Sequence, residues 1–363
     1  MEFCYRAQNR ASISNTLCLR PLEKGPPLLT FGEIHMKFKK MVLAAALFAS
    51  AAFCANAYAS DVLNFKLGFV DPANSSYAQG GQKFADELAK LTDGKIKVQV
   101  VAGGTLGGER EMYEGAQMGT MDMITVVNTV LSQFIPELVL LDQPFLFDND
   151  AQAHAAVDGK LGQLIAKKAE AQGVHIIGAL ESGFRDTFSK KPIKTVDDYN
   201  GMKIRTMENK MQIAAFNALG AIATPMPATE QYTALQQGTI DGCENAVGNM
   251  LINRYYEVIK NVTNSHHQFT YIFVGVSNRA WKKIPDELKP KVYEAMKTAV
   301  AWQRQNLAEI NANAVKELKT KGVNFYDIDR EAMKAKVLPA VEKLRANVPQ
   351  EWIDAYKESL AAK

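Results

Sequence analysis

Arginines that end short β-like runs are the side chains here best placed to do chemistry. GMKIR, Gly201 to Arg205, is a turn glycine followed by a strand-like run that closes on Arg205. In open α/β sheets ligands gather beyond the carboxyl ends of strands, which makes Arg205 the leading candidate for an anion anchor. Its guanidinium is a rigid fork, charged at any relevant pH, that matches a carboxylate with two parallel hydrogen bonds. Strand position alone leaves a solvated surface arginine open as the plainer reading. VHIIGAL, Val174 to Leu180, reads as a strand followed at once by ESGFR. Arg185 therefore falls near the C-terminal end of a β run, with pairing to Glu181 or Asp186 as its alternative. Asn245 ends TIDGCEN, a strand plus turn, where an amide can donate to a carboxylate or accept from a hydroxyl or simply shape the turn. The run MDMITVV, Met121 to Val127, directs Thr125, Asn128 and Thr129 toward the same possible ligand edge.

Other chemistries find little support. AGGTLGGEREM, Ala102 to Met112, is glycine-rich but lacks the Gly-Lys-Ser/Thr ending of a phosphate loop and the spacing of a dinucleotide turn. Glu109 within it has a plain role available, the first turn of a helix, where a carboxylate suits the dipole. Cys243 has no basic neighbour in sequence and reads as a small buried residue. His266 and His267 are adjacent, so on a strand they face opposite ways, and no cluster of zinc-like spacing accompanies them. They read as a solvated or capping pair. No nucleophile elbow appears and no carboxylate pair stands out, so neither a metal nor a cofactor is expected.

The elements that must position these groups alternate between β and α. LNFKLGFV, Leu63 to Val70, alternates as a strand. Asp71-Pro72-Ala73-Asn74 turns, and Ser75 or Ser76 caps a helix over about 77–91. KIKVQVV, Lys95 to Val101, is the second strand of a parallel βαβ unit. A helix follows from Glu109 to about Gln117. LGQLIAKKAEAQG is helical ahead of the Val174 strand, and LVLLDQPFLF, 138–147, is an apolar segment. After Arg205 come a helix over 210–219, an extended run 224–227, and a helix over about 230–237 capped by Thr229. His266 to Asn278 is β-rich. A long helical region spans about 286–321, and 330–346 and 350–361 read as outer helices. The class is α/β.

Met36, then Lys37, Lys39 and Lys40, an apolar run to Cys54 and Ala57-Tyr58-Ala59 together read as a secretory signal peptide over 36–59, cleaved after Ala59. Residues 1–35 lack a hydrophobic period and read as an upstream extension, with translation expected from Met36. The 42 basic and 39 acidic residues of the full chain become 35 and 36 without residues 1–59. The apparent basicity thus belongs to the leader and gives no argument for nucleic acid. Cys243 alone remains of four cysteines, which precludes an intramolecular disulfide in the mature part. A chain of about 300 residues buries enough surface to fold without one.

GMKIR, PMPATEQYTALQQGTIDGCEN and ESGFR, in order with LGGEREM, LDQPFLF and KKPIKTVDDYNGMKIR, resemble the solute-binding proteins of TRAP transporters, the DctP-like family. The resemblance runs from about Asp61 to the C-terminus. It implies a two-lobed periplasmic-binding-protein fold with mixed sheets, a crossed chain and a long connecting helix. Lobe one would take 61–182 plus 272–310, and lobe two 183–271 plus 311–363. It also implies that Arg185 gives a second cationic contact, that Asn245 touches the solute, and that Glu109 and the residues around Asn128 border the cleft. From the residues themselves, Asp71, Gln82, Glu181 and Glu208 read as groups that tune selectivity by accepting hydroxyl or ammonium donors, favouring a hydroxy acid or sugar acid over a plain dicarboxylate, or equally as surface residues. The implied function is a periplasmic, monomeric, non-enzymatic protein that binds a small organic carboxylate and delivers it to the membrane subunits of a TRAP permease. The rival readings are an α/β enzyme acting on a small organic acid, and a binding protein serving an ABC transporter or a sensor kinase.

Overall fold

A computed structural model describes residues 62–361; the expected signal peptide, its cleavage after Ala59 and the upstream extension lie outside the described residues. Nine strands form one mixed sheet in the order β2-β1-β3-β8-β4-β7-β5-β6, with β9 also paired to β8. The chain opens as expected with β1 (Leu63–Gly68), α1 (Ser76–Leu91) and β2 (Ile96–Val101), the two strands being parallel. Ser75 caps α1, its side chain accepting from the Ala78 N–H at 3.1 Å. There follow α2 (Glu109–Met118), β3 (Met123–Val127), the single turn α3 (Asn128–Leu131), α4 (Asp150–Asp158) and α5 (Lys160–Glu170).

Two long antiparallel strands tie the sheet together. β4 spans Val174–Ser189 and, further along the chain, β8 spans Asn261–Ser277. The end of β8 pairs with β3, and its beginning pairs with the last residues of β4 and with β9 (Asn324–Asp327). β4 and β8 thus belong to both halves of a two-lobed α/β architecture. Their register shifts at Ile176/Gly178, Glu181/Gly183 and Arg185/Thr187, and such bulges bend a strand pair and re-aim its side chains. Gly183 takes φ +83° at one of them, a left-handed conformation natural to glycine. The sequence places the end of the strand at Leu180. Instead it continues through ESGFR, because β8 supplies an antiparallel partner throughout and the bulges absorb the irregular residues. Arg185 is therefore inside β4, four residues before its end.

The second half contains β5 (Lys203–Thr206), α6 (Lys210–Ala218), β6 (Ile222–Pro225), α7 (Gln231–Gln237), β7 (Gly242–Asn245) and α8 (Val247–Ile252). Arg205 sits next to last in β5, as its sequence suggests. Thr229 does not cap α7: it lies within a 3-10 turn, Ala228–Glu230, and α7 starts without a side-chain cap. After α9 (Asn278–Trp281) comes α10 (Lys289–Thr320), 32 residues long. Val292, Ala295, Met296 and Ala299 of α10 join the apolar core around Phe65, Phe84 and Leu180, whereas Leu318 joins the core around Phe188, Leu235 and Val262. One helix thus anchors in both halves. α11 (Arg330–Val341) packs with α6 around Met211 and Phe216. α12 (Gln350–Ser359) returns to the first half, with Trp352 and Ala355 in the core near Ala153 and Leu161. That return departs from the expected assignment of all of 311–363 to the second lobe. The cause is the apolar face of α12, which finds its cover on α4 and α5.

β7 is wedged between β4 and β5, and Gly242 makes this possible. A Cβ there would lie 2.4 Å from the Phe188 carbonyl oxygen and 3.2 Å from Ser189 Cα. Those are backbone atoms and cannot swing aside. Gly242→Ala is expected to cost about 1–3 kcal/mol by overpacking, read as a lower urea midpoint; an unchanged midpoint would show that β7 is not so tightly held.

Candidate functional site

Adjacent strands bring the two arginines together. β7 lies between β4 and β5, with Asp186 opposite Asn245, Thr187 opposite Glu244 and Arg205 opposite Cys243. Arg185 and Arg205 are both buried, yet their surroundings differ.

Arg185 is fully engaged along one edge. Its Nε and Nη2 form a bidentate pair with the Glu244 carboxylate, and Nη2 also donates to the Glu244 carbonyl oxygen at 2.7 Å. Only Nη1 is turned elsewhere, toward Thr270 Oγ1 at 3.3 Å. The sequence suggests Glu181 or Asp186 as its partner; neither is. Glu181 meets His154 at 2.7 Å and Arg304 at 3.3 Å, and Asp186 meets His266 at 3.1 Å. Adjacency in sequence misleads here because successive side chains of a strand point to opposite faces, while the paired strand β7 brings Glu244 alongside Arg185. His267 is buried too, contrary to the reading of a solvated pair. Its Nε2 lies 3.4 Å from Glu244 Oε2 and its Nδ1 lies 2.9 Å from Ser265 Oγ. Burial pushes the Glu244 carboxyl up, but Arg185 and His267 outweigh it and hold the carboxyl at about 2.

Arg205 has no such partner. It is 2 % exposed, and its Nε and Nη2 both donate to the Met226 carbonyl oxygen, at 3.0 and 2.7 Å. Among the described residues no carboxylate lies within ion-pair distance of it. Burial pulls its pKa below the ordinary arginine value, with the Glu244 charge acting the other way. Arg205 lines a small, partly open cavity of about 30 Å³ together with Val70, Glu109, Met207 and Pro227. That is room for roughly one water.

Glu109 opens α2 and faces Arg205 across this cavity. Its Oε1 accepts from the Val127 N–H at 3.0 Å. Burial, reinforced by the nearby Asp71 charge, lifts its pKa to about 8 against the pull of Arg205 and Arg185. These four candidates are therefore electrostatic neighbours. Asp71 accepts from Asn253 Nδ2 at 2.8 Å. Tyr77 and Tyr255 are buried beside it, each phenol raised by burial and then by Asp71. Asn245 is half-buried. Its Oδ1 accepts from the Ala246 N–H at 2.9 Å and Asn249 Nδ2 at 2.8 Å, which leaves its own amide donor available. Asn128 is not brought to the cavity. It is wholly buried, donating to Asp142 Oδ1 at 2.8 Å and accepting the Tyr271 N–H at 3.0 Å. Cys243 is buried as expected, and burial pushes its thiol up to about 12, which disqualifies it as a nucleophile.

Glu244, His267, Tyr77 and Tyr255 escape the sequence reading. Glu244 alone carried a signal: a charged residue between Cys243 and Asn245 in a short interior strand requires a buried partner. The arrangement offers a buried cation without a carboxylate partner among the described residues. Arg205 and Glu109 line the cavity, and Arg185, Asp71, Tyr77 and Tyr255 stand close enough to act on them electrostatically.

The sequence model of the bacterial extracellular solute-binding proteins, family 7, matches residues 67–347. The 2,3-diketo-L-gulonate-binding periplasmic protein of Escherichia coli is 32% identical over 82% of this chain and 90% of its own length. A TRAP periplasmic solute-binding protein of a Polaromonas species, solved with D-erythronate, superimposes with a TM-score of 0.79 at 33% identity, covering 83% of this chain and 99% of that one. The sugar-acid-binding protein of Advenella mimigardefordensis, solved with galactonate, gives a TM-score of 0.79 at 31% identity over 82% of this chain and 100% of that one.

Two opposed pH limbs follow from the shifts. Glu244 sits below its ordinary 4.5, so its stabilising contribution is present above about pH 4.5 and is lost as pH falls toward 2. Glu109 sits above its ordinary 4.5, so stability declines as pH rises from about 4.5 to 8. Glu109→Gln should flatten the upper limb in urea titrations at stepped pH, and Glu244→Gln should flatten the lower one. Glu244→Gln should also cost about 3–5 kcal/mol at neutral pH, by leaving Arg185 buried without its carboxylate. Limbs unchanged by these substitutions would refute the assignment.

Proposed function

This chain belongs to family 7 of the bacterial extracellular solute-binding proteins, and from that membership we propose that its Arg205 cavity is where a small organic carboxylate is captured for a TRAP-type permease. The single observation that carries the proposal is a buried guanidinium that faces a cavity and has no carboxylate within ion-pair distance among the described residues. The solute provides the missing charge. Its carboxylate docks on Arg205, assisted by the free amide of Asn245 and by the remaining Nη1 of Arg185. Glu109 and Asp71 at the opposite wall accept hydroxyl donors, which favours sugar acids and hydroxy acids over plain dicarboxylates. The E. coli relative and the two solved structures are named for, or hold, acids of this kind.

The lobes in this reading are 61–182 with 272–310, and 183–271 with most of 311–363; the bulged strands β4 and β8 act as the hinge. Closure removes water and strengthens the ion pair. Binding, without turnover, is the activity. The protein acts in the periplasm after removal of its leader, and its partners are the solute and the permease membrane subunits.

A thermal-shift screen of residues 60–363 tests this against sugar acids, hydroxy acids, dicarboxylates and amino acids, after unfolding and refolding to strip any carried ligand. A true solute at 100 times its Kd adds about 2.7 kcal/mol. Arg205→Ala should remove the shift, a loss of roughly 2–5 kcal/mol. Arg205→Lys should weaken binding about tenfold or more, since the two-pronged geometry is gone. Equal affinity of Arg205→Lys and parent in calorimetry would defeat the clamp.

A further inference from the structure

Behind the cavity, a fully buried carboxylate joins the chain segments that carry its two walls. Asp142 lies in the turn after the 3-10 segment Pro136–Leu140. Asn128 Nδ2 donates to its Oδ1 at 2.8 Å and Asn209 Nδ2 to its Oδ2 at 2.6 Å. The Asn209 amide also reaches Ser132 Oγ at 2.8 Å and the Thr129 carbonyl at 3.2 Å. Backbone groups fix both amides the right way round. Asn128 Oδ1 accepts the Tyr271 N–H at 3.0 Å. Asn209 Oδ1 caps α6, accepting the N–H groups of Met211 and Gln212 at 2.8 and 3.1 Å. Each side chain therefore has only its donor end to offer Asp142.

Among the described residues no cation lies within ion-pair distance of Asp142. Burial pushes its pKa up to about 6, restrained by neutral donors alone. A buried carboxylate without a counter-ion is costly, and packing by itself would be served by an amide or an apolar group. A carboxylate differs from the isosteric amide in having two acceptor oxygens, one for each asparagine. Those asparagines belong to opposite walls. Asn128 follows Val127, whose N–H holds Glu109. Asn209 ends the short segment leading away from Arg205, and Gln133 Nε2 donates to the Glu208 carbonyl beside it at 3.0 Å.

We propose that Asp142 is a positioning residue for solute capture: by accepting one amide from each wall it sets Arg205 against Glu109 and slows solute escape. This rests on the reading of the cavity as an organic-acid site. Asp142→Asn keeps the shape but turns an amide donor toward one of the two asparagines. The double variant Asp142→Asn, Asn209→Asp restores a donor facing an acceptor, and aspartate remains a good helix cap at 209.

Stopped-flow binding of D-erythronate, D-galacturonate and succinate to parent, single and double variants tests the proposal, with amide hydrogen exchange measured on the same proteins without solute. Asp142→Asn should raise the dissociation rate about tenfold or more while association changes by less than about threefold, the pattern of a lost closing contact. The double variant should recover most of that loss. A parental dissociation rate in Asp142→Asn overturns the proposal, and so does equal loss in both variants. If none of the three acids binds even the parent, the exchange data decide. Faster exchange at Tyr271 together with Met211 and Gln212, recovered in the double variant, supports the bridge; exchange that changes on one side alone, or on neither, overturns it. Absence of acid binding with a positive exchange result would fault the organic-acid reading and leave the bridge standing.

Discussion

Two guanidinium groups are buried on the strands that flank β7, and β7 supplies one of them with a carboxylate. Much of the site follows from that imbalance. Arg185 is neutralised by Glu244, which His267 helps to orient. Arg205 is held only by a carbonyl oxygen. A carbonyl dipole fixes the direction of the fork without cancelling its charge. In a region of low polarity an uncompensated cation is expensive, a cost that the proposed capture of a carboxylate at Arg205 would relieve more strongly than at the surface. The Arg185–Glu244 pair matters to this contrast. It keeps Glu244 from moving over to Arg205 and quenching the site from within, since its two oxygens are already matched to the other arginine.

Backbone geometry makes this arrangement available. β7 is short, interior and parallel to β5 but antiparallel to β4. It therefore carries Glu244 to Arg185 on one neighbour while Cys243 lies opposite Arg205 on the other. The small, unreactive Cys243 leaves room for the Arg205 side chain. β4 and β8 pass through both halves of the sheet, with three register shifts between them, and α10 is anchored in the cores of both halves. The two halves are thus joined by strands and a helix that they share, which fits the hinge closure proposed for the two lobes.

The sequence made the fold class, most helices and the place of Arg205 near a strand end legible, because these depend on local pattern. Hydrophobic periodicity finds α1 and α10, Ser75 announces its helix, and a turn glycine before a short strand points to Arg205. The misses share a cause in non-local pairing. Val174–Ser189 looks like a strand that stops at Leu180, since ESGFR has poor β character. Its extension is imposed by β8, more than 70 residues further along the chain. Glu244 as the partner of Arg185 is likewise invisible without strand register. Asn128 failed for another reason: the strand end was placed correctly, but a side chain at such an end can turn into the core as readily as into the cleft. Its amide is committed to Asp142, which no local pattern would single out.

The opposite wall narrows what the cavity can hold. Glu109 has a pKa near 8 and so carries a proton much of the time at neutral pH, when its carboxyl can both donate and accept. Asp71 stands close enough to lift it. A second carboxylate on the solute would meet these two groups and be repelled by any charge they retain, as like charges at short range disfavour one another. A hydroxyl would instead donate to Asp71 or accept from protonated Glu109. The phenols of Tyr77 and Tyr255 are kept in their neutral form by burial, and that of Tyr77 is hydrogen-bonded to Asp71. Under the proposed capture at Arg205, one carboxylate at that end and hydroxyls at the other would leave no buried charge unmatched, whereas a dicarboxylate of the same length would leave one.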